Sequence, residues 1–140
     1  MATAAQTFDA IIVGAGQAGP PLAGRLTAAG QTVAVIERKL VGGTCVNTGC
    51  IPTKTLVASA YAARLARRAA EYGVGSGEIT VDIGKVKARK DKIMLDDRHG
   101  VESWLEGMDN CTLIRGHAEF QDPRTIRVDD FILPECDYES

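Results

Sequence analysis

Two closely spaced cysteines are the residues in this sequence with the clearest capacity for chemistry. Cys45 and Cys50 flank the segment from Val46 to Gly49, and a loop this short can form a disulfide if its turn brings the two Cβ atoms together. Such a pair can serve as a structural staple, as part of a zinc site or as a redox-active dithiol. The neighbouring residues distinguish among these uses.

A staple across so short a loop stabilises a fold by only about 2 kcal/mol in the chain-entropy model, and a reducing cytosol tends to open an exposed one. A zinc site would need two further ligands, and the other cysteines and histidines lack a second paired spacing. These candidates are Cys111, Cys136, His99 and His117. In a redox pair, Pro52 can begin a helix with Cys50 at its N-terminus, where the dipole and Lys54 favour a thiolate. We favour the redox pair and predict no metal site.

A second motif indicates a dinucleotide. The segment from Gly14 to Gly19 matches G-x-G-x-x-G, in which the glycines allow a tight turn, close approach of a pyrophosphate and packing of helix on strand. The following helix N-terminus would supply N–H donors to phosphates. Glu37 ends the next apolar run and would accept hydrogen bonds from ribose hydroxyls, which favours the unphosphorylated ribose of FAD or NAD. The motif by itself does not separate these two cofactors.

The elements around this motif form a predicted parallel βαβ unit. Phe8 to Val13 is suited to a strand buried on both faces, Pro20 to Ala29 to a helix, and Thr32 to Ile36 to a second buried strand. Beyond the cysteines, Thr53 to Tyr72 predicts a long helix. Strand, helix and strand fit within about thirty residues, the usual size of such a unit.

The second half of the chain predicts one more helix and several short strands. Asp82 can cap a helix that runs towards Met108. Three β-prone runs follow, at Cys111 to Arg115, His117 to Phe120 and Thr125 to Val128. The final ten residues carry no clear pattern. We predict a single α/β domain over residues 1–140.

Composition limits the possible functions. The chain has 140 residues, 45% hydrophobic and 24% charged, which suits one soluble domain. A net charge of -2 argues against nucleic-acid or anionic-membrane partners. The residues before Phe8 do not read as a signal peptide, and polar residues interrupt the longest apolar stretch, so we expect a cytoplasmic protein with no transmembrane helix.

The fingerprint, Glu37 and the run from Gly42 to Lys54 together resemble class I pyridine nucleotide-disulfide oxidoreductases. These include dihydrolipoamide dehydrogenase, glutathione reductase and, with the strongest resemblance, mercuric-reductase-like flavoproteins. The resemblance covers Phe8 to about Val128 and implies a Rossmann-type FAD-binding domain with a parallel sheet, long helices and a small β-meander. The implied FAD contacts are Gly14, Gly16, Gln17, Ala18, Gly19, Glu37, Gly43, Thr44, Lys54 and Ala118.

The resemblance also implies roles for these residues. Cys50 would be the charge-transfer thiolate nearest the flavin, and Cys45 the interchange thiol that meets the substrate. Lys54 would lie near flavin N5, Gln17 and Ala18 near the phosphates, and the turn carrying Ala118 beside the adenine. Electrons would pass from NAD(P)H through FAD and the disulfide to a small disulfide or thiol-reactive substrate.

Members of this family continue into an NAD(P)H domain and a homodimerisation domain that carries a His-Glu acid/base pair. We expect these to be absent from this chain, and we assign no base role to His99 or His117. Two hypotheses follow. The chain is the FAD and disulfide portion of an oxidoreductase that works with further polypeptide, or it is a catalytically inactive FAD-binding module.

Overall fold

A computed structural model describes residues 6–129. The first compact unit comprises residues 6–43 and 98–129 of these, and a parallel sheet lies at its centre. Strand β1, Ala10–Val13, leads through helix α1, Gly19–Ala28, to strand β2, Val33–Glu37. The two strands pair in parallel, with Ala10 opposite Val33 and Val13 opposite Ile36. The predicted βαβ unit and the α/β class are confirmed.

The third strand of this sheet comes from much later in the chain. Strand β3, Cys111–Arg115, pairs in parallel with the free side of β2, which gives the order β1-β2-β3. The first four residues of β2 are buried, as the prediction for this strand requires. β2 lies between β1 and β3, so the residues that follow β2 leave the sheet at its centre. They lie next to the carboxyl end of β1, because the two strands are parallel.

One face of the sheet carries the core. Val33 and Val35 of β2 pack with Ala23 of α1 and with Leu105, and each of these four side chains is fully buried. Leu105 belongs to helix α4, Ile83–Glu106. The core therefore joins the βαβ unit to the C-terminal part of the last helix.

The prediction that the first strand is buried on both faces is wrong. Ile11 and Val13 alternate with half-buried neighbours and are 39% and 55% exposed. Among the described residues β1 is an edge strand, and only the face carrying Ala10 and Ile12 packs against the core. The continuous apolar run from Phe8 therefore indicates a strand but not two covered faces.

A second compact unit spans residues 44–97, between β2 and β3 in the chain. Most of the five-residue helix α2, Gly43–Asn47, belongs to it. Helix α3 is Cys50–Arg67, and a 3-10 turn, Ala69–Tyr72, follows it. The predicted long helix is present, although it begins three residues earlier than Thr53.

Within this second unit, polar contacts hold the start of α4 and join the two long helices. The amide of Lys85 donates to the Asp82 carboxylate at 3.0 Å, so Asp82 caps the helix as predicted. The Arg89 guanidinium on α4 donates to the Thr55 carbonyl at 3.0 Å and to the Ser59 hydroxyl at 3.3 Å, both on α3.

The last two described strands form a separate hairpin in the first unit. Strand β4, His117–Asp122, pairs antiparallel with strand β5, Thr125–Asp129. All three predicted β-prone runs are strands, but the first of them joins the parallel sheet. The tail from residue 130 onwards, including Cys136, lies outside the described residues. Between residues 6 and 129 no helix is both long and apolar enough to cross a membrane.

Candidate functional site

The glycine-rich turn after β1 is closed by its own backbone. The Gly14 amide donates to the Ile36 carbonyl of β2 at 2.7 Å, and Gly14 has a φ of +101°. A Cβ built on Gly19 would lie 2.3 Å from the Gly14 carbonyl oxygen, a distance that no side chain tolerates. The first and third glycines of the fingerprint are thus required by the turn itself.

The start of α1 is open to an anion. No side chain caps it, and its first turn carries no acidic residue, so the positive end of the helix dipole is not neutralised locally. Pro20 and Pro21 occupy its first turn and have no N–H. An anion at this end must therefore bind amides of the glycine-rich turn itself. A Cβ on Gly16 would meet no atom within 4 Å, so the second glycine faces open space.

Glu37 has a structural role that the sequence analysis missed. One carboxylate oxygen accepts a hydrogen bond from the Ala15 amide at 2.9 Å, and the other accepts one from the Lys39 amide at 2.7 Å. The carboxylate is therefore fixed at the end of β2 before any ligand arrives. A carboxylate oxygen can accept more than one hydrogen bond, so ribose hydroxyls can still bind to Glu37.

A cavity of about 300 Å³ opens beside this carboxylate. It brings together three predicted cofactor residues, Gly14, Glu37 and Ala118, although they come from distant parts of the chain. Arg38 also lines it and was missed, although its position directly after Glu37 could have indicated it. The lining residues are Val13, Gly14, Ile36, Glu37, Arg38, Gly116, His117 and Ala118.

The segment after β2 returns to the glycine-rich turn. The Gly42 amide donates to the Ala15 carbonyl at 2.7 Å, and the Gln17 side-chain amide donates to the Gly42 carbonyl at 3.3 Å. A Cβ on Gly43 would lie 3.0 Å from the Gly16 Cα. Gln17 was predicted to lie near the phosphates, and its described partner is the backbone of Gly42.

In the second unit, helix ends position the two cysteines. Cys45 lies on α2, and Cys50 is the first residue of α3. Gly49 between the helices has φ −115° and ψ −107°, and a Cβ there would lie 2.9 Å from the Thr44 carbonyl oxygen. The tight turn from α2 into α3 therefore requires glycine at position 49.

The two thiols differ in environment. Cys50 is exposed at a helix N-terminus whose first turn carries no acidic residue, whereas Cys45 is half-buried. A hydrogen bond with Cys50 is the main cause that raises the pKa of the Cys45 thiol above its ordinary value, and burial and the charge on Cys50 raise it further. A hydrogen bond from the Cys50 backbone and the positive charge of Lys54 oppose this rise but do not cancel it. The Cys45 thiol therefore keeps its proton to higher pH than an ordinary cysteine thiol.

The predicted site residues fall in both compact units. Those up to Gly43, together with Ala118, belong to the first unit, and Thr44, Cys45, Cys50 and Lys54 belong to the second. Thr44 and Lys54 are exposed. Among residues 6 to 129, no three His, Cys, Asp or Glu side chains form a group that could hold a metal ion.

Comparison with known proteins gives a consistent match over most of the chain. The family described as pyridine nucleotide-disulphide oxidoreductase matches residues 8–133. The dihydrolipoyl dehydrogenase of Geobacillus stearothermophilus is 34% identical over 120 residues, which are 86% of this chain and 25% of that protein. That of Chlorobaculum parvum is 36% identical over 121 residues, which are 86% and 26% of the two chains. The chain thus spans about a quarter of the length of these relatives.

A solved structure has the same fold over the same part. The HOCl-induced flavoprotein disulfide reductase RclA from Escherichia coli, in a Cu(II) complex, is 34% identical and superposes with a TM-score of 0.70. The superposition covers 89% of this chain and 25% of that one.

Proposed function

Because the chain belongs to the pyridine nucleotide-disulphide oxidoreductase family, we propose that it is the FAD-binding and dithiol-bearing part of an NAD(P)H-dependent disulfide oxidoreductase. The observation that carries this proposal is the cavity between Gly14, Glu37 and Ala118, beside a turn that leaves Gly16 open. We call this turn and cavity the dinucleotide cradle. The same chain carries both the cradle and the Cys45–Cys50 pair, as the proposed function requires.

The residues of the cradle fit the adenosine and pyrophosphate of FAD. The turn from Gly16 to Gly19 would bind the pyrophosphate through its amides, because the prolines that follow cannot donate. Glu37 would bind the ribose hydroxyls and disfavour a ribose that carries a phosphate, through repulsion between like charges. Ala118 and its neighbours in the cavity would lie beside the adenine.

When bound and reduced by NAD(P)H, the flavin would supply two electrons to the Cys45–Cys50 disulfide. The reduced pair would hold one proton on Cys45 and a thiolate on Cys50, in agreement with the raised pKa of Cys45. Attack on a substrate disulfide by Cys45 requires loss of that proton to a base. The substrate bond then breaks, one thiol leaves, and Cys50 displaces the second thiol from Cys45 as the protein disulfide re-forms.

The substrate class is a small disulfide or a thiol-reactive molecule. Two of the relatives are dihydrolipoyl dehydrogenases, and the solved relative is a disulfide reductase described in complex with Cu(II). Both descriptions suit a dithiol, since cysteine thiolates exchange with disulfides and bind transition metals such as copper. We propose that electrons pass from NAD(P)H through FAD and the disulfide to this substrate. The active enzyme would also need further polypeptide and would be a homodimer.

Titration of the purified chain with FAD, followed by quenching of flavin fluorescence, tests the cradle. We expect saturable binding that is weakened about tenfold in Glu37→Gln, because glutamine keeps only one acceptor oxygen for the ribose and the two backbone amides, a loss of about 1.4 kcal/mol or more. Glu78→Gln alters an exposed glutamate in the second unit and should bind like the unaltered chain. Failure of the unaltered chain to bind FAD would reject the proposal.

Two-electron reduction of the FAD-loaded chain tests the dithiol. We expect a long-wavelength absorbance band from thiolate and flavin that disappears in Cys50→Ser and persists in Cys111→Ser. If FAD binds but reduction produces no such band, the chain is the FAD-binding module of the second hypothesis. A band retained in Cys50→Ser would reject the assignment of Cys50.

A further inference from the structure

Both backbone groups of Gly42 bond to the glycine-rich turn. Its amide donates to the Ala15 carbonyl at 2.7 Å, and its carbonyl accepts from the Gln17 side chain at 3.3 Å. Gly42 is buried, whereas Gln17 is exposed. One of the two links is therefore an exposed side chain that a ligand at the turn can reach.

The next residue begins the helix that carries a thiol. Gly42 and Gly43 have φ values of +91° and +58°, and Gly43 is the first residue of α2. Left-handed conformations at two successive glycines are weakly restrained by the residues themselves. The path of the backbone through these two glycines is therefore set by contacts with other residues. Cys45 follows two residues after Gly43.

We infer that Gln17 is a positioning residue that couples occupancy of the glycine-rich turn to the conformation of the segment entering α2. The inference rests on the proposed dinucleotide function. A glutamine amide group carries two N–H donors, and one of them bonds to Gly42. An anion that accepts from the other N–H orders the side chain and strengthens its bond to Gly42. Occupancy of the turn then slows local opening of Gly42 to Asn47.

ADP is the probe for this coupling, because it carries the adenosine and pyrophosphate but no flavin that could cover the cysteines directly. Amide hydrogen exchange of Gly42 to Asn47 is measured by mass spectrometry with and without saturating ADP, after calorimetry has established binding. We expect ADP to slow exchange about fivefold in the unaltered chain, the lower end of typical coupling. Gln17→Met keeps the length but cannot donate, so ADP should bind more weakly because the coupling is reciprocal, and at saturating ADP the slowing should vanish.

Gln31→Met is the matched control, since Gln31 is exposed in the loop before β2, and its ADP response should equal that of the unaltered chain. If Gln17→Met only loosened the structure, it would speed amide exchange of Gly42 to Asn47 by the same factor with and without ADP. An undiminished ADP response in Gln17→Met would overturn the inference, as would complete loss of ADP binding, which would show that Gln17 holds the ligand rather than transmits its occupancy to Gly42. Binding without a response in the unaltered chain overturns this inference alone, whereas absence of both ADP and FAD binding overturns the proposed function with it.

Discussion

The unequal environments of the Cys45 and Cys50 thiols have a direct consequence for their reactivity. The pKa of Cys45 is raised above its ordinary value, chiefly by its hydrogen bond with Cys50, and only the thiolate is a nucleophile. In the reduced chain without flavin, iodoacetamide near neutral pH should therefore modify Cys50 before Cys45. Peptide mass spectrometry gives the order of labelling.

The same contact predicts a shift in pH dependence. In Cys50→Ala the hydrogen bond and the neighbouring charge are both lost, so the pKa of Cys45 should fall. Burial, which also raises it, remains. The midpoint of Cys45 alkylation against pH should move to lower pH. A midpoint that stays in place or rises would show that Cys50 is not the cause.

Substitution of two glycines in the same motif should affect different properties, stability at Gly19 and FAD binding at Gly16. Alanine at Gly19 would place its Cβ 2.3 Å from the Gly14 carbonyl oxygen, so Gly19→Ala should lower the free energy of unfolding by about 1–3 kcal/mol. Alanine at Gly16 meets no protein atom within 4 Å. Gly16→Ala should unfold normally in urea yet bind FAD weakly, because its methyl group would occupy the space that the pyrophosphate needs.

Equal unfolding curves for Gly19→Ala and the unaltered chain would contradict the packing argument. Normal FAD binding by Gly16→Ala would show that the pyrophosphate does not lie against Gly16.

Residue types and spacing predicted which side chains to consider but not their partners. The motif indicated Gly14 and Glu37, and a cavity lies between them. That Glu37 also fixes the Ala15 amide, and that Gln17 bonds to the Gly42 carbonyl, depends on how two loops meet in three dimensions. Local sequence contains no signal for such contacts.

At the scale of elements, the start of α4 provides a test of helix capping. The Asp82 carboxylate accepts from the Lys85 amide at 3.0 Å. Asp82→Ala should therefore lower the stability of the chain by about 1 kcal/mol, the usual cost of losing an N-cap. Asp97→Ala, at an exposed position within the same helix, is the matched control and should change urea unfolding by less than about 0.5 kcal/mol. Equal effects of the two substitutions would argue against the cap.

Long, strongly patterned elements were predictable, and the shortest α-helix was not. Helix α3 has 18 residues rich in alanine and leucine, and composition alone favours it. Helix α2 has five residues, Gly-Thr-Cys-Val-Asn, all weak helix formers. It forms where Gly42 is bonded to the glycine-rich turn and where the Gly49 turn redirects the chain. The exposed face of β1 was missed because an apolar run indicates a strand without indicating what covers it.

At the scale of the whole molecule, the sequence contains one G-x-G-x-x-G fingerprint. If FAD occupies it, NAD(P)H has no second fingerprint in this chain to bind. The purified polypeptide loaded with FAD should therefore accept electrons from dithionite but show no steady-state NAD(P)H oxidation with a disulfide substrate. Spectrophotometry of NADH and NADPH tests this. Robust turnover by homogeneous chain would contradict it.

The central position of β2 in the sheet order β1-β2-β3 also bears on biosynthesis. β1, α1 and β2 leave the ribosome together, but the partner for the other side of β2 is Cys111–Arg115. Translation proceeds at about 5–20 residues per second, so an apolar strand edge stays unpaired for several seconds while the intervening helices are made. During that interval the nascent chain presents a surface that other strands can join, and chaperone binding should be concentrated there.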